Sequence, residues 1–305
     1  MRLFKRETWS KENIKLIILR RFFIKFSKFI PSKLYLRAVY RLKMGEKLHL
    51  RFPKTFNEKL QWLKLYNQKP EYTTMVDKYA VKEYVGNIIG KEHIIPTIGV
   101  WNSVEEIEWE KLPDQFVLKT THGGGGGGVV VCKDKANLDI GRVKKVLQHS
   151  MNTDIYWTTR EWPYKNVPKR IIAEQFLVDE SGIELKDYKF FCFNGEVKCF
   201  KIDFDRFIEH RANYYNREAK ILLFGEQCCL PDFTKEFDKP KNFEQMLEIV
   251  ETLAHDIPFV RIDLYNIDGR IYFGEITFFP AAGTGKFTPE EWDYKLGEWL
   301  ELPKK

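Results

Sequence analysis

Cysteine is scarce in this 305-residue chain, and long hydrophobic runs are absent. The five cysteines (Cys132, Cys192, Cys199, Cys228 and Cys229) are odd in number and form no C-x-x-C pair. This pattern argues against a disulfide framework or a zinc site of the usual spacing, and it favours a reducing compartment. No apolar run reaches the roughly 18 residues that span a bilayer. We therefore expect a globular protein of the cytoplasm.

The excess of basic over acidic residues lies at one end of the chain. Residues 1–51 hold 15 Lys/Arg against 3 Asp/Glu, whereas the remaining chain holds 35 against 40, so the net charge of +7 arises entirely in the first segment. A nucleic-acid-binding fold carries its basic residues on its body, which argues against such a partner. Arg20, Arg21 and Lys25 also interrupt the apolar stretch that a signal peptide would need.

Residues 11–30 predict an amphipathic helix. Leu16, Leu19, Phe23 and Phe26 recur at spacings of three and four, and lysines and arginines occupy the opposite arc. Such a helix either packs on the body of the protein or lies on an anionic membrane surface. The sequence leaves both destinations open.

The remaining pattern mixes helices and hairpins without regular βαβ alternation, which indicates an α+β fold. Asn194-Gly195 and Asp268-Gly269 predict two hairpin turns. Capping boxes predict helix starts at Thr55 to Glu58, Ser103 to Glu106 and Thr288 to Glu291.

Six consecutive glycines, Gly123 to Gly128, join two short β-type runs, Phe116-Val-Leu and Val129-Val-Val. A glycine hairpin lets backbone N–H groups approach a phosphate closely, because there is no Cβ and positive φ costs little. The P-loop and the dinucleotide fingerprint are excluded, since both lead into a helix. A flexible tip without function is the competing interpretation.

The hairpin from Phe259 to Thr277 carries the most specific signal. Alternation along a strand places Arg261 and Asp263 on one face, and Glu275 with Thr277 on one face of the returning strand. Carboxylates with an added oxygen ligand suit Mg²⁺, and a neighbouring guanidinium balances a transferred anion. A solvated polar sheet edge is the alternative, but the intervening residues are strongly apolar.

Together these stretches resemble the ATP-grasp superfamily, through Asp77-Lys78, Lys119 before the glycines, Glu174 to Leu177, and the hairpin of Asp263 and Glu275. Residues 53–65, 77–81 and 286–293 are similar to the TupA-like (teichuronopeptide biosynthesis) ATP-grasp family of bacterial surface-polysaccharide clusters. The resemblance implies that ATP is held between two α+β subdomains, preceded by a helical N-terminal segment. The expected divisions are 1–51, 52–114, 115–178 and 179–305.

The resemblance also implies roles for individual residues. Lys78 and Lys119 would bind the ATP phosphates beneath a lid of Gly124, Gly125 and Gly126. The adenine ring would meet the backbone of Glu174, Gln175, Phe176 and Leu177, and Asp187 or Lys189 would hold ribose or phosphates.

The resemblance assigns the metal and the chemistry to the hairpin and one lysine. Asp263, Glu275 and Thr277 would bind Mg²⁺, with Mn²⁺ as an alternative, and Arg261 and Lys119 would be catalytic.

Candidates for substrate contact are Arg160, Arg206, His210, Arg211, Thr284 and Lys286. Trp162 and Tyr164 suit either stacking on substrate or packing, and His122 is expected to be a structural hydrogen-bonding residue. The family's reaction joins a small-molecule carboxylate to an amine through an acyl phosphate. Here we expect a uronic-acid carboxylate, on a nucleotide-sugar or a lipid-linked intermediate. A sugar kinase and a non-catalytic membrane-associated partner are the alternatives, and the oligomeric state stays open.

Overall fold

The computed structural model describes residues 26–124, 127–179, 185–204 and 209–304. The α-helices span Ser32–Met44, Phe56–Tyr66, Glu71–Val76, Ala80–Ile89, Ile140–Met151, Ile155–Thr159, Phe243–Ala254 and Glu291–Trp299. The strands are β1 Thr97–Trp101, β2 Phe116–Thr120, β3 Val129–Cys132, β4 Ile171–Gln175, β5 Asp187–Phe193, β6 Glu196–Phe204, β7 Arg211–Asn216, β8 Ile221–Leu222, β9 Gly225–Glu226, β10 Phe259–Ile267, β11 Arg270–Thr277 and β12 Phe287–Thr288. The expected α+β class is confirmed.

Four strands form a small antiparallel sheet in the order β1-β4-β2-β3. Its central strands alternate buried side chains, Phe116 and Leu118 on β2 beside Ile171 and Ala173 on β4. The helix Ile140–Met151 covers this apolar face and contributes to the same core cluster. The other end of β2 leads into the glycine loop, so this sheet carries the loop to the cleft described below.

Six strands form the larger antiparallel sheet, β11-β10-β5-β6-β7-β8. Ile262, Phe190 and Phe200 lie side by side on the adjacent strands β10, β5 and β6. They belong to the face of the sheet that packs on the helix Phe243–Ala254. Because side chains alternate faces, the next row presents charged residues on the opposite face. This sheet is therefore apolar towards its helix and charged towards the cleft.

The helix Phe56–Tyr66 lies in the N-terminal part of the chain and packs against the C-terminal part. Its predicted capping box is confirmed: Glu58 N donates to Thr55 Oγ1 at 3.2 Å, and Thr55 N donates to the Glu58 carboxylate at 3.4 Å. The helix packs against Glu291–Trp299 and the 3₁₀ turn Pro280–Gly283. This contact holds the loop that closes one end of the cleft.

Two other predicted helix starts are wrong. Asn102 N donates to the Glu106 carboxylate at 2.9 Å, but the segment only bends, since Val104 and Ile107 already bury their side chains without a helix. Thr288 is occupied in pairing with Gly225, so the last helix begins at Glu291 without a side-chain cap.

Most of the predicted helix over residues 11–30 lies outside the described residues. Its described end forms a 3₁₀ turn at Ser27–Phe29. Within the described part of the chain, no helix is long and apolar enough to cross a membrane.

Candidate active site

A cavity of about 700 Å³ lies between the two sheets, and it collects residues from both. The predicted site residues that line it are Lys78, Lys119, Gly124, Glu174, Asp187, Lys189, Arg261, Asp263, Glu275 and Thr277. They come from segments separated by up to 200 positions of the chain, so the fold brings together what the sequence only suggested. Their individual roles stay predictions.

The floor of the cavity is the β10–β11 hairpin. Asp263 lies directly opposite Glu275, and Arg261 lies opposite Thr277. The Arg261 guanidinium donates to both oxygens of Asp263 at 2.7 Å and to Glu275 Oε1 at 2.7 Å. One buried cation therefore holds two carboxylates side by side, at the position where their oxygens reach the cavity.

The two carboxylates differ in their electrostatics. Burial raises the pKa of Asp263 to about 7, although Arg261 opposes the shift. Burial acts in the same direction on Glu275, but the combined field of Lys78, Arg261 and further lysines outweighs it and lowers its pKa to about 2. Because the Glu275 side chain is 40% exposed to the cleft, solvent screens part of that field.

This donor set fits a hard divalent cation. Asp263 and Glu275 supply carboxylate oxygens, and the Thr277 hydroxyl donates to Glu275 Oε1 at 3.4 Å, which places a third oxygen beside them. Mg²⁺ prefers such oxygen ligands together with substrate phosphates. Asp263, Glu275 and Thr277 are therefore the residues that would hold the ion.

A buried glutamate organises the lysines on the opposite wall. Glu174 is 5% exposed, and its two oxygens pair with Lys119 Nζ at 2.5 Å and Lys82 Nζ at 2.6 Å. Burial alone would raise the pKa of Glu174, but the two ammonium groups lower it below its usual range. Lys78 Nζ reaches across the cleft to Glu275 at 3.4 Å. The wall thus presents a cluster of cations to the carboxylate floor.

Lys82 was not among the predicted site residues. Besides Glu174 it donates to the Ile95 carbonyl at 2.6 Å, and it lines the cavity. The available signal was its position four residues after Lys78 at the start of a helix, a spacing that keeps two side chains on one side. Its ion-pair partner is 92 positions away, which the sequence does not reveal.

The predicted adenine-binding segment is divided by its strand. Glu174 lines the cleft, whereas Gln175 and Phe176 line a separate pocket with Pro96 and Ile98. The end of the cleft near Glu174 is apolar and is formed by Val81, Ile94, Ile95, Tyr265 and Phe273. That composition suits a flat purine ring, and contact of adenine with the backbone of residues 174–177 stays a prediction. Leu177 is half-buried beyond the end of β4.

The described glycines Gly123, Gly124 and Gly127 border the cavity, while Gly125 and Gly126 lie outside the described residues. Gly128 has a φ of +81°, and a Cβ there would collide with Ser150 and Thr120. Gly128 is therefore required by the turn itself. The expected structural role of His122 is confirmed: its buried ring contacts the Ser150 carbonyl at 3.1 Å, and burial lowers its pKa.

A row of charge continues from the hairpin across the larger sheet. Lys189 lies opposite Asp263 and pairs with Asp187 and, at 2.5 Å, with Asp203. His210 Nε2 contacts Asp203 at 2.9 Å, so this substrate candidate sits at the edge of the row. Lys201 pairs with Glu226 at 2.8 Å, close to the thiols of two adjacent cysteines at 228 and 229. Asp203 and Glu226 are thus each paired with a lysine of the same sheet.

The prediction that Arg160 contacts substrate needs correction. Arg160 is 2% exposed, and its guanidinium donates to the backbone carbonyls of Ser27, Ile30 and Trp157. It also stacks over the Tyr35 ring at 4.4 Å. With both terminal nitrogens of its guanidinium bonded inside the protein, Arg160 is a structural anchor rather than a substrate-binding group.

The other substrate candidates that the structure describes lie outside the cavity lining. Arg211 pairs with the exposed Glu209, and Lys286 is exposed. Thr284 donates to the Ala281 carbonyl at 3.0 Å and accepts from Lys43 Nζ at 3.2 Å. Arg206 lies outside the described residues.

The end of the cleft where we expect the acceptor is lined by Lys43, Glu161, Tyr164 and the turn at Pro280 to Ala282. Glu161, Tyr164 and this turn belong to the stretches 160–164 and 280–286, which hold predicted substrate candidates, whereas Lys43 was not predicted.

Comparison with known proteins agrees with this architecture. The sequence profile of the TupA-like ATP-grasp family matches residues 58–301. Because that match covers most of the chain, the fold is that of an ATP-grasp protein. The chain belongs to the TupA-like ATP-grasp family.

Solved structures that resemble it include D-alanine–D-alanine ligases. The enzyme from Bacillus anthracis is 15% identical, with 74% of this chain and 66% of that chain covered and a TM-score of 0.43. The enzyme from Helicobacter pylori is 16% identical, with 83% of this chain and 68% of that chain covered and a TM-score of 0.44. An ADP complex of the N5-carboxyaminoimidazole ribonucleotide synthetase purK is 15% identical, with 79% of this chain and 56% of that chain covered and a TM-score of 0.43. The chain thus covers slightly less than two thirds of the Bacillus anthracis enzyme and just over half of purK. None of the curated proteins matches it significantly.

Proposed function

We propose that this protein is an ATP- and Mg²⁺-dependent carboxylate–amine ligase that forms an amide through an acyl phosphate. The carrying observation is the arrangement of Asp263 and Glu275 under one guanidinium, facing the lysines of the opposite wall across a single cleft. A carboxylate floor for a metal opposite a cationic wall for phosphates is what in-line phosphoryl transfer requires.

The side chains divide the work as follows. Lys78 and Lys119 bind the phosphates of ATP, and Glu174 keeps Lys119 in place by its 2.5 Å ion pair. Arg261 stabilises the charge that moves to the acceptor carboxylate, since its buried guanidinium is fixed before substrate arrives. The metal, when bound, neutralises the transferred phosphoryl group. Holding the reactants in line supplies the rest of the acceleration.

Membership of the TupA-like family supports the substrate class that we propose. The carboxylate is a uronic acid, carried on a nucleotide-sugar or a lipid-linked intermediate of bacterial capsule or surface-polysaccharide synthesis, and the amine is an amino acid or another small amine. The enzyme works in the cytoplasm, with residues 11–30 as a peripheral contact to the inner face of the membrane.

ADP formation by the purified protein tests the proposal. Reactions contain Mg·ATP with pairs drawn from UDP-uronic acids and a panel of amines, and products are identified by mass spectrometry. A ligase releases free phosphate and yields an amide whose mass is the sum of the substrates less water. Phosphate retained on the acceptor would identify a kinase instead, and no ADP with any pair would contradict the ligase.

A further inference from the structure

A buried carboxylate faces the acceptor end of the cleft. Glu161 is 7% exposed and lines the cavity beside Lys43 and Tyr164. Among the described residues, no Lys, Arg or His forms an ion pair with it. Burial raises the pKa of Glu161, and the field of Lys64 and the weaker field of Lys43 only partly offset it, so this position favours a further cation supplied by a ligand.

The nearby lysine of the core meets that need only in part. The field of Lys64 lowers the pKa of Glu161, but its ammonium group donates to the carbonyls of Thr159 and Ala282, at 2.8 Å each. These bonds tie the loop before Glu161 to the turn at Pro280–Gly283. Lys64 therefore fixes the walls of the acceptor end and leaves the carboxylate to the cavity.

The backbone around Glu161 is preorganised. Arg160 adopts a left-handed φ of 58° and is anchored by three carbonyls. The Glu161 N–H donates to Thr159 Oγ1 at 3.3 Å, and the Glu161 carbonyl accepts from Tyr164 N at 3.2 Å. Arg160 ends the helix Ile155–Thr159, where a left-handed conformation is common, and these bonds hold the Glu161 backbone in place.

Glu161 lines the same cavity as the metal hairpin, and Tyr164 lies at the same end. The pKa of Tyr164 is raised by burial and then by the charges of Glu161 and Glu275, which also line the cavity. A Cβ built on Gly124 would lie 4.0 Å from the Tyr164 hydroxyl. Tyr164 thus lies beside the glycine loop in the cavity that Glu161 and Glu275 share.

A positive charge acts on Glu161 from the same wall. Lys43 lines the cavity at this end, and its field opposes the burial of the Glu161 carboxylate. A carboxylate and an ammonium group at one end of a cleft form a complementary pair for a zwitterion, as charge complementarity across a site favours the matching ligand.

We propose that Glu161 binds the ammonium group of an α-amino acid and accepts its proton, while Lys43 binds the carboxylate of that amino acid. This assignment rests on the proposed ligase function and names its amine. At neutral pH an amine arrives protonated and must lose a proton before it attacks, which is the task of a carboxylate within hydrogen-bond reach.

The step balances. Glu161 takes one proton from the ammonium group, and the freed nitrogen lone pair attacks the acyl-phosphate carbon. The carbon–oxygen bond to phosphate breaks as the amide bond forms. The second nitrogen proton leaves with the phosphate as HPO₄²⁻, and a protonated Glu161 returns its proton to water.

Binding separates this inference from the ligase itself. Thermal-shift titrations of the full chain with Mg·ADP and each of the twenty amino acids identify the binder, and the amide of that amino acid serves as the matched probe. We expect Glu161→Gln to weaken amino-acid binding at least tenfold while ADP binding is unchanged. Lys43→Met should abolish the preference for the amino acid over its amide. Glu83→Gln, an exposed change of the same chemistry, should leave both affinities unchanged.

Two outcomes overturn the inference: no amino acid binds the wild type, or Glu161→Gln binds it as tightly as the wild type does. If ADP and amide form with the wild type while Glu161→Gln keeps its kcat and its KM for the amine, the ligase stands and this assignment is wrong. If amino acids bind through Glu161 but no substrate pair yields ADP, the ligase is wrong and the binding site stands.

Discussion

The two ends of the cleft treat charge in opposite ways. At the hairpin end every carboxylate has a cation: Asp263 and Glu275 share Arg261, and Lys78 adds a second contact to Glu275. At the acceptor end Glu161 is buried beside Tyr164 without an ion-pair partner among the described residues. We expect the first end to exchange its cations for a metal and phosphates, and the second to receive a further positive charge from a substrate.

The two ends also differ in how they are constructed. Asp263 and Glu275 are fixed by strand register, and a sheet transmits position without help from distant residues. Glu161 is fixed by Arg160 and Lys64, whose hydrogen bonds reach Ser27 and Ala282. Substitutions at the hairpin should therefore affect chemistry with little loss of stability, and substitutions around Glu161 should affect both.

The largest effect is expected at the hairpin. Asp263→Asn removes a metal-binding charge and leaves Arg261 in excess, so kcat should fall by about 100-fold or more, with a raised Mg²⁺ requirement. Steady-state ADP release against Mg²⁺ concentration measures both. Asp268→Asn, in the exposed turn of the same hairpin, is the control and should keep wild-type kinetics. Equal activity of the two variants would remove the metal assignment.

Lys119→Met tests the wall that faces the hairpin. Loss of a charged hydrogen-bond donor to phosphate should raise the KM for ATP by about 10- to 100-fold. Glu174→Gln should act in the same direction but less strongly, because Lys119 remains and loses only its anchor. Titration of both variants with ATP shows which substitution raises the KM more. A larger increase for Glu174→Gln than for Lys119→Met would contradict the prediction.

Arg160→Ala tests whether the segment around Glu161 is held in place by the hydrogen bonds of a structural side chain. It strips three backbone carbonyls of their buried donor, so the free energy of unfolding should fall by about 3 kcal/mol. Urea unfolding measures the loss, with the exposed Arg37→Ala as the control. A fully stable Arg160→Ala protein that loses only substrate affinity would restore Arg160 as a contact residue.

The smallest effects are expected in the glycine loop, where substitutions of Gly128 and Gly124 should have different consequences. Gly128→Ala should destabilise the protein by about 1–2 kcal/mol, because φ is +81° and its Cβ would collide with Ser150. The Cβ of Gly124→Ala would meet the end of the Ile155 side chain at 3.2 Å and the Tyr164 hydroxyl at 4.0 Å, and the substitution should change ATP affinity more than the melting temperature. Thermal melts with and without Mg·ATP distinguish them, and identical behaviour would mean that the loop has no divided role.

Sequence reasoning succeeded where local rules apply. Alternation along β10 and β11 predicted that Asp263 and Glu275 would lie together, since strand periodicity and a two-residue Asp-Gly turn fix the register. The capping box at Thr55 was likewise readable, because both of its bonds lie within four residues. The box at Thr288 failed because pairing with Gly225, 63 positions away, took the residue for a strand.

By itself the sequence determined the α+β class, the charged hairpin and the glycine loop, since each depends on neighbouring residues and on periodicity. Only the tertiary structure decided that Arg160 is an anchor, that Lys82 shares Glu174 with Lys119, and that Glu161 faces the cleft. Those outcomes depend on which distant group satisfies a buried charge. Burial and partnership are properties of the assembled fold, so a side chain's role at the acceptor end is settled only when the chain has closed around it.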